Sequence, residues 1–356
     1  MRIAITHAYS WPEVRRGAER IIRELGRALA ARGHEVTVLT AGRRAETRHE
    51  DGVTTIRLRR HFKDDVRHER EFGWRLVPQL LRRKFDVVHS FVPNDVVAAI
   101  RTAKIRHHRT VYTQLGVPLR SWWDTRPDGA AHRRVVKDVD VYGCMSHYAL
   151  DALASEYGRT DGVWLPGGVD LEIFKPMPRE ERATILFSGA VYEVRKGLPI
   201  LLEALPKVAE VHPDVQLWIS GPGDATPYLD AAPPGAAERT VVLPLGEPDG
   251  QAERYARAWT TALPSKGDSF GMVLAESLAC GTPITASTHS ALPELVDPGV
   301  TGALCDPDDA DTVAAALITS LALAQRAETA EACRDSARQF DWRTGIAPDF
   351  ERYYAG

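Results

Sequence analysis

Four cysteines in 356 residues, Cys144, Cys280, Cys305 and Cys333, stand too far apart for a metal spacing or a disulfide framework. Their sparseness excludes a small disulfide-stapled fold and points to a reduced, cytoplasmic chain. Long apolar runs are also missing. No stretch reaches 18 apolar residues, so no membrane span is expected. The opening residues MRIAIT are too short for a signal peptide and read as a first strand. No cluster has catalytic metal spacing, so no metal is expected. Nucleic acid is not expected as a partner either. What remains is a globular composition, 44% hydrophobic and 26% charged, in a chain long enough for two ordinary domains.

The net charge of −3 conceals an asymmetry. Residues 1–175 hold 31 Lys and Arg against 22 Asp and Glu, a balance of +9. Residues 176–356 hold 14 against 26, a balance of −12. The basic half is suited to anionic acceptors or to peripheral contact with an anionic membrane face. The plainer alternative is an arginine-rich solvated surface.

The first half alternates strand and helix patterns. Residues 2–7, 35–40, 53–58, 85–90, 110–113 and 139–145 read as strands. Residues 18–32 place Ile21, Ile22, Leu25, Ala28 and Leu29 at helical spacing, and Gly33 stops that helix. A second helix is expected near 96–103. Residues 163–178, rich in Pro and Gly, read as a linker. The pattern then restarts, with strands at 183–189, 215–221 and 240–244 and a helix at 198–211. This is the signature of doubly wound α/β architecture.

Residues 261–309 carry the most chemistry. A strand ending near Leu263 runs through Pro264, Ser265, Lys266 and Gly267 into a helix opening around 269–271. Gly281-Thr282-Pro283 ends it, and a strand follows at 284–286. A helix start after such a turn presents free N–H groups that hold an anion without any basic side chain. Asp268 and Glu276 flank it. Amides suit phosphates, and carboxylates suit sugar hydroxyls.

The stretch P-S-K-G-D-S-F-G-M-V-L-A-E-S-L-A-C-G-T-P-I resembles the signature of glycosyltransferase family 4, the retaining enzymes of the GT-B fold. The resemblance extends over nearly the whole chain. Arg16-Gly17-Ala18-Glu19 stands where the family has Gly-Gly-Ala-Glu. Residues 32–38, RGHEVTV, residues 86–89, DVVH, and residues 166–170, PGGVD, match further family motifs. Residues 187–197, FSGAVYEVRKG, match the strand, loop and Lys-Gly that grip the donor diphosphate.

The resemblance implies two doubly wound Rossmann-like domains facing a cleft: an acceptor-side domain over 1–173 and a nucleotide-sugar domain over 174–340. A final helix, 341–356, would return to the first domain. It also implies retaining transfer from a nucleoside diphosphate sugar, UDP favoured and GDP the alternative, to a small-molecule or lipid-linked hydroxyl acceptor, with no resident cofactor. Lys196 would neutralise the leaving diphosphate, with Arg195 beside it. Glu276 would accept hydrogen bonds from ribose. Asp268 replaces the family glutamate that contacts the transferred sugar and is one methylene shorter, about 1.5 Å of reach. Its local alternative is a helix N-cap. Phe270, Gly271, Met272 and Val273 would turn their amides to the phosphates. Gly17 would allow close backbone approach between the domains, and Gly221, in the Gly-Pro-Gly after a strand, would pass near the base. Arg16, Gln114 and His89 fall on the acceptor and sugar side.

Two departures stand out. Ala190 replaces a family arginine that binds diphosphate, leaving Arg195, Arg16 or Lys266 to substitute. Gln114 replaces a frequent histidine and cannot carry a proton at neutral pH. Rival readings are a GT-B nucleotide-sugar epimerase and an inactive glycosyltransferase-like partner subunit.

Overall fold

The computed structural model describes residues 1–14, 16–244 and 248–356. Its contacts divide the chain into two compact units, Met1–Gly168 with Trp342–Gly356, and Val169–Asp341.

The first unit holds strands β1 (Arg2–His7), β2 (Glu35–Gly42), β3 (Glu46–Glu50), β4 (Val53–Arg59), β5 (Val87–Ser90), β6 (Arg109–Gln114), β7 (Val141–Cys144) and β8 (Val163–Trp164). They form one sheet in the order β3-β4-β2-β1-β5-β6-β7-β8. Every pairing is parallel except β3 with β4. The order reverses between β1 and β5, which makes the sheet doubly wound. Helices α1 (Gly17–Ala31), α2 (Asp65–Arg82) and α3 (Pro93–Arg106) cover it. Strand β1 is buried along almost its whole length, as expected for a central parallel strand covered on both faces. On α1, Ile21, Ile22, Leu25, Ala28 and Leu29 are buried, and Gly33 at φ 87° ends the helix.

The second unit holds β9 (Thr184–Ser188), β10 (Gln216–Ser220), β11 (Thr240–Val242), β12 (Thr260–Leu263), β13 (Ile284–Ser287) and β14 (Gly302–Cys305). All pairings are parallel, in the order β11-β10-β9-β12-β13-β14. The order reverses between β9 and β12. Leu201, Leu205 and Val208 of the helix Leu198–Val211 join Val313, Leu317 and Leu321 of the helix Ala310–Leu323 in an aliphatic core.

The structure shifts three expected boundaries. The linker begins later than 163, because Val163 and Trp164 pair with Gly143 and Cys144 as the edge strand β8. The units divide at 168/169 rather than 173/174. Arg334 donates to the carbonyls of Leu171 and Phe174, at 2.9 and 3.0 Å, and ties that segment into the second unit. Asp341 also stays with the second unit, bridged to Val169. Residues after it join the first: Arg32 Nε lies 2.6 Å and His34 Nε2 2.8 Å from Glu351, while Phe350 and Tyr354 are buried.

Candidate active site

In the second unit, the C-terminal end of β9 leads into a loop closed by a short helical turn, Val194–Lys196. Gly197 follows at φ 86°, and a Cβ there would fall 2.3 Å from the Pro264 carbonyl oxygen. Glycine is required on both counts. The loop therefore lies flat against the segment after β12. Lys266 N donates to the Arg195 carbonyl at 2.8 Å, and the Arg195 guanidinium donates to the Gly267 carbonyl and to Glu193. At the end of this seam the Lys196 ammonium meets Asp268 Oδ2 at 2.5 Å, with both side chains largely buried. A short charge-assisted contact of this kind holds two flexible side chains in one geometry.

The helix that follows is Met272–Ala279. Its N-cap is Gly271 at φ 93°, with no side-chain cap. The helix opens slightly later than 269–271, and Asp268 is its neighbour rather than its cap. Leu292 and Leu295 would crowd any Cβ at Gly271, at 2.7 and 3.1 Å. The helix start is thus fixed by packing, and its N-cap, a glycine, places no side chain of its own over the first amides. Met272 and Val273 supply those amides, and Phe270 is buried edge-on against Phe340. Glu276 lies one turn further along and is 1% exposed.

A second pair of loops meets beside this one. Gly189 N donates to the Ser220 carbonyl at 3.0 Å, and Val191 N to the Pro222 carbonyl at 2.8 Å. A Cβ on Gly221 would fall 1.8 Å from the Gly189 carbonyl oxygen. Behind them Ser188, Ser220, Gln251, Arg254 and Tyr255 share hydrogen bonds of 2.7–3.0 Å. Lys196, Asp268, Gly271, Glu276 and Gly221 are all positioned at carboxyl ends of parallel strands in one unit, the usual ligand-binding edge of such sheets.

In the first unit, Arg16 donates to Glu19 from Nη2 at 2.8 Å, and His7 Nε2 lies 3.2 Å from the same carboxylate. Burial pushes the Glu19 carboxyl up, but the hydrogen bonds to His7 and Arg16 outweigh it and hold it down at about 2. The Tyr9 ring lies under the Arg16 and Arg60 guanidinium carbons, at 4.7 and 5.4 Å. Among the described residues, beyond its own chain neighbours and helix backbone, no atom lies within 4 Å of where a Cβ on Gly17 would sit. Gln114 is buried, with its Oε1 accepting from the Tyr112 and Tyr142 hydroxyls at 2.7 and 3.3 Å.

The resemblance puts His89 on the acceptor side, but the structure buries it fully. Its Nδ1 meets the Tyr354 hydroxyl at 2.7 Å and its Nε2 meets Thr113 Oγ1 at 2.8 Å. Burial pushes it down to about 3. With both nitrogens engaged inside the unit, His89 is a structural residue.

Sequence reading misses Tyr9 and Glu69. Glu69 accepts from the Tyr9 hydroxyl at 3.4 Å, and burial together with Asp128 pushes it up to about 7. Neither has a sequence signal, because their meeting depends on the loop after β1 reaching α2. Each cation offered in place of the missing arginine already has a carboxylate partner: Arg195 has Glu193, Lys266 has Asp308 and Arg16 has Glu19. Among the described residues no group of three His, Cys, Asp or Glu is placed to hold a metal, and no helix is long and apolar enough to cross a membrane.

These two doubly wound units, with that loop seam in the second, are those of a GT-B glycosyltransferase. Residues 15–173 match the pattern described as Glycosyltransferase Family 4, and residues 182–322 match Glycosyl transferases group 1. The chain belongs to glycosyltransferase family 4. It is 29% identical to the phosphatidyl-myo-inositol mannosyltransferase of Mycobacterium tuberculosis, over 99% of this chain and 96% of that one. Sucrose-phosphate synthase from Thermosynechococcus elongatus superposes with a TM-score of 0.82 at 21% identity, covering 99% and 98% of the two chains. The Anabaena HepE protein in complex with UDP and glucose does so at 0.77 and 18% identity, covering 100% and 99%.

Proposed function

We propose that the chain moves a hexosyl group from a nucleoside diphosphate sugar to a hydroxyl of an anionic, lipid-linked acceptor, with retention at the anomeric carbon. The observation that carries this is the Lys196–Asp268 contact at the uncapped start of the helix Met272–Ala279. It sets a cation, a row of free amides and a sugar-binding carboxylate side by side.

The bond from the anomeric carbon to the diphosphate oxygen breaks, and a bond from the same carbon to the acceptor oxygen forms on the same face. The acceptor proton passes to the departing phosphate oxygen, so no enzyme base is needed. Lys196 and the amides of Met272 and Val273 stabilise the charge that develops on the phosphate. Because they carry that charge, the reaction proceeds without a metal ion. Asp268 exchanges its Lys196 contact for the sugar hydroxyls, and Glu276 holds the ribose. Arg195 turns from Glu193 toward the diphosphate in place of the family arginine at Ala190. Gln114 donates to a substrate oxygen through its Nε2 amide.

The acceptor class follows from the basic first half and from the mycobacterial relative, whose name describes transfer of mannose to phosphatidylinositol. Transfer then takes place in the cytoplasm, at an anionic membrane face. The test is direct. GDP-mannose and UDP-glucose are each incubated with phosphatidylinositol vesicles, with and without EDTA, and the product linkage is read by NMR. An α-linked product from either α-linked donor, formed in EDTA, supports the proposal. Inversion, or loss of turnover on chelation, refutes the corresponding part. Conversion of donor alone into an epimer would favour the isomerase reading.

A further inference from the structure

A cavity in the first unit, apart from every residue used above for transfer, has the build of a small-molecule site. Its floor is the face of β2 and β4 on which Val38 pairs with Thr55 and Thr40 with Arg57. Side chains two apart on a strand share a face, so these four point the same way. Leu39 and Ala41, on the other face, pack into a separate core cluster. The roof is α1. Near its middle the helix lies close on the sheet: a Cβ at Gly26 would touch Val53, Ile5 and Val36 at 3.7–3.8 Å. Its first turns do not close down in this way, and a wedge of about 310 Å³ remains at the carboxyl end of the strands. That volume lies at the lower end of the ~300–1,000 Å³ usual for small-molecule sites.

The wedge is lined by polar atoms that nothing satisfies. Ser10 Oγ, Thr40 Oγ1 and Arg57 Nε are buried and have no hydrogen-bond partner among the described residues. Those residues are 5%, 1% and 7% exposed. Leaving buried donors and acceptors unpaired is costly, so three on one wall call for a polar occupant. Apolar surface from Ile22, Val38 and Val53 lies between them. Each arginine of the wall has a carboxylate beside it: Arg57 lies 3.3 Å from Glu13 and also meets Glu46, Arg48 lies 2.9 Å from Glu46, Arg27 2.6 Å from Asp51 and Arg23 3.7 Å from Glu24. No arginine of the wall is therefore left to select an anion by itself. Apolar faces between fixed hydroxyl and N–H groups match one ligand chemistry, a neutral polyhydroxyl ring.

We propose that this wedge binds a single neutral polyol ring, sugar or cyclitol, with its hydroxyls on Ser10, Thr40 and Arg57. Glu19 lines the same wedge and holds Arg16 and His7, so occupancy reaches the start of α1. The ring comes either from a free polyol or from a sugar residue of the acceptor.

The full chain, without nucleotide, is titrated with myo-inositol, glucose and methyl glucoside by ligand-observed NMR. Saturable binding is expected, weakened about three- to tenfold by Thr40→Val and again by Ser10→Ala, as for loss of one hydrogen bond each. Thr40→Ser keeps the hydroxyl and retains binding. Unaltered circular dichroism and an unaltered thermal melt show that each variant is folded. Methyl glucoside binding tighter than glucose assigns the wedge to an acceptor residue, and free polyol binding at least as tightly assigns it to a separate ligand. No saturable binding of any of the three, or binding indifferent to both Thr40→Val and Ser10→Ala, overturns the proposal.

Discussion

The two units use the same winding for opposite kinds of interior. The second unit fills its core with aliphatic side chains and keeps its chemistry in loops at one end of the sheet. Its two histidines, His212 and His289, are not buried. Both units bury hydroxyl groups, but the first takes histidines and more carboxyl groups inside. His68, His89, His108, His132 and Asp95 are all buried there, and Tyr112 and Tyr142 meet Gln114 in its core. A site whose recognition is done by backbone and two or three side chains, as proposed for the second unit, can stand on a core without buried histidines. The unit carrying the polar interior should answer more to pH, and the unit with the loop seam more to single side-chain loss.

The sharpest break of that contrast is Lys196→Ala. Removing one preorganised charge from a developing oxyanion typically costs about 2.7–4 kcal/mol in the barrier. Turnover should fall by about two to three orders of magnitude, while the melting temperature barely moves, because the side chain contacts a loop and not the core. Steady-state rates beside a thermal melt read both. Full turnover in a folded variant would shift the role to Arg195.

Acid titration comes next and concerns the first unit. Burial holds His89 and His132 down at about 3. Their unfolded forms take a proton below about 6.5, so each lowers stability as pH falls, by up to about 1.4 kcal/mol per pH unit. Asp95 and Glu69 act in the other direction. Burial raises both, Glu69 to about 7, so the native state holds protons that the unfolded chain lacks. The opposing slopes partly cancel, but burial lowers His68 and His108 as well, so stability should decline gently from pH 6.5 to 4.5. Below 4.5 the Glu69 effect is exhausted and below 3.8 that of Asp95, while Glu19, held at about 2, begins to lose its contribution as well. Stability should then fall steeply. Asp95→Asn removes one counterweight, so its decline with falling pH should be steeper. Hydrogen exchange resolved by residue would locate the loss in the first unit. A decline beginning in the second unit would undo the contrast.

How far the sequence could be read follows the same division. The second-unit motif was legible because helix start, carboxylate and helix stop all had to fall in register. The helix 198–211 and the strand ends near Leu263 needed only periodicity. In the first unit β3, ETRHE, was illegible: an exposed antiparallel edge strand has no apolar alternation to show. Helix α2 was also missed, since Gly73 and Pro78 interrupt its pattern and charges crowd its first turns. His89 looked like an acceptor-side residue because sequence cannot show that Tyr354, 265 positions away, reaches its ring. The pairing of Lys196 with Asp268 was equally hidden, as each residue was legible only alone.

Gly221→Ala tests whether the second unit depends on its loop contacts as closely as the geometry implies. The added methyl would collide with the Gly189 carbonyl, and overpacking of this kind typically costs about 1–3 kcal/mol. Nucleotide affinity should fall with stability, because the displaced loop leads to Lys196. Urea unfolding and calorimetric titration with UDP and GDP would measure the two together. A variant of full stability and full affinity would mean that the two loops are not held together in solution.

The smallest effect expected is that of salt on acceptor binding, and it bears on the first unit alone. Residues 1–175 carry the +9 balance, and Trp74 and Trp122 are 75% and 58% exposed in the same unit as Arg70 and Arg101. Exposed aromatic and basic side chains together suit an anionic lipid surface, the rings entering the interface and the cations meeting headgroups. Exposed charges are screened over about 8–10 Å near physiological ionic strength. Pelleting with phosphatidylinositol-containing vesicles should therefore weaken steadily as salt rises, while nucleotide affinity should change less if it rests, as proposed, on the partly buried Lys196 and on backbone amides. Trp74→Ala should weaken pelleting at every salt concentration without altering the salt slope, since it removes apolar contact and no charge. Pelleting independent of salt, or a nucleotide affinity that falls as steeply, would show that the charge asymmetry does not separate the roles of the two units.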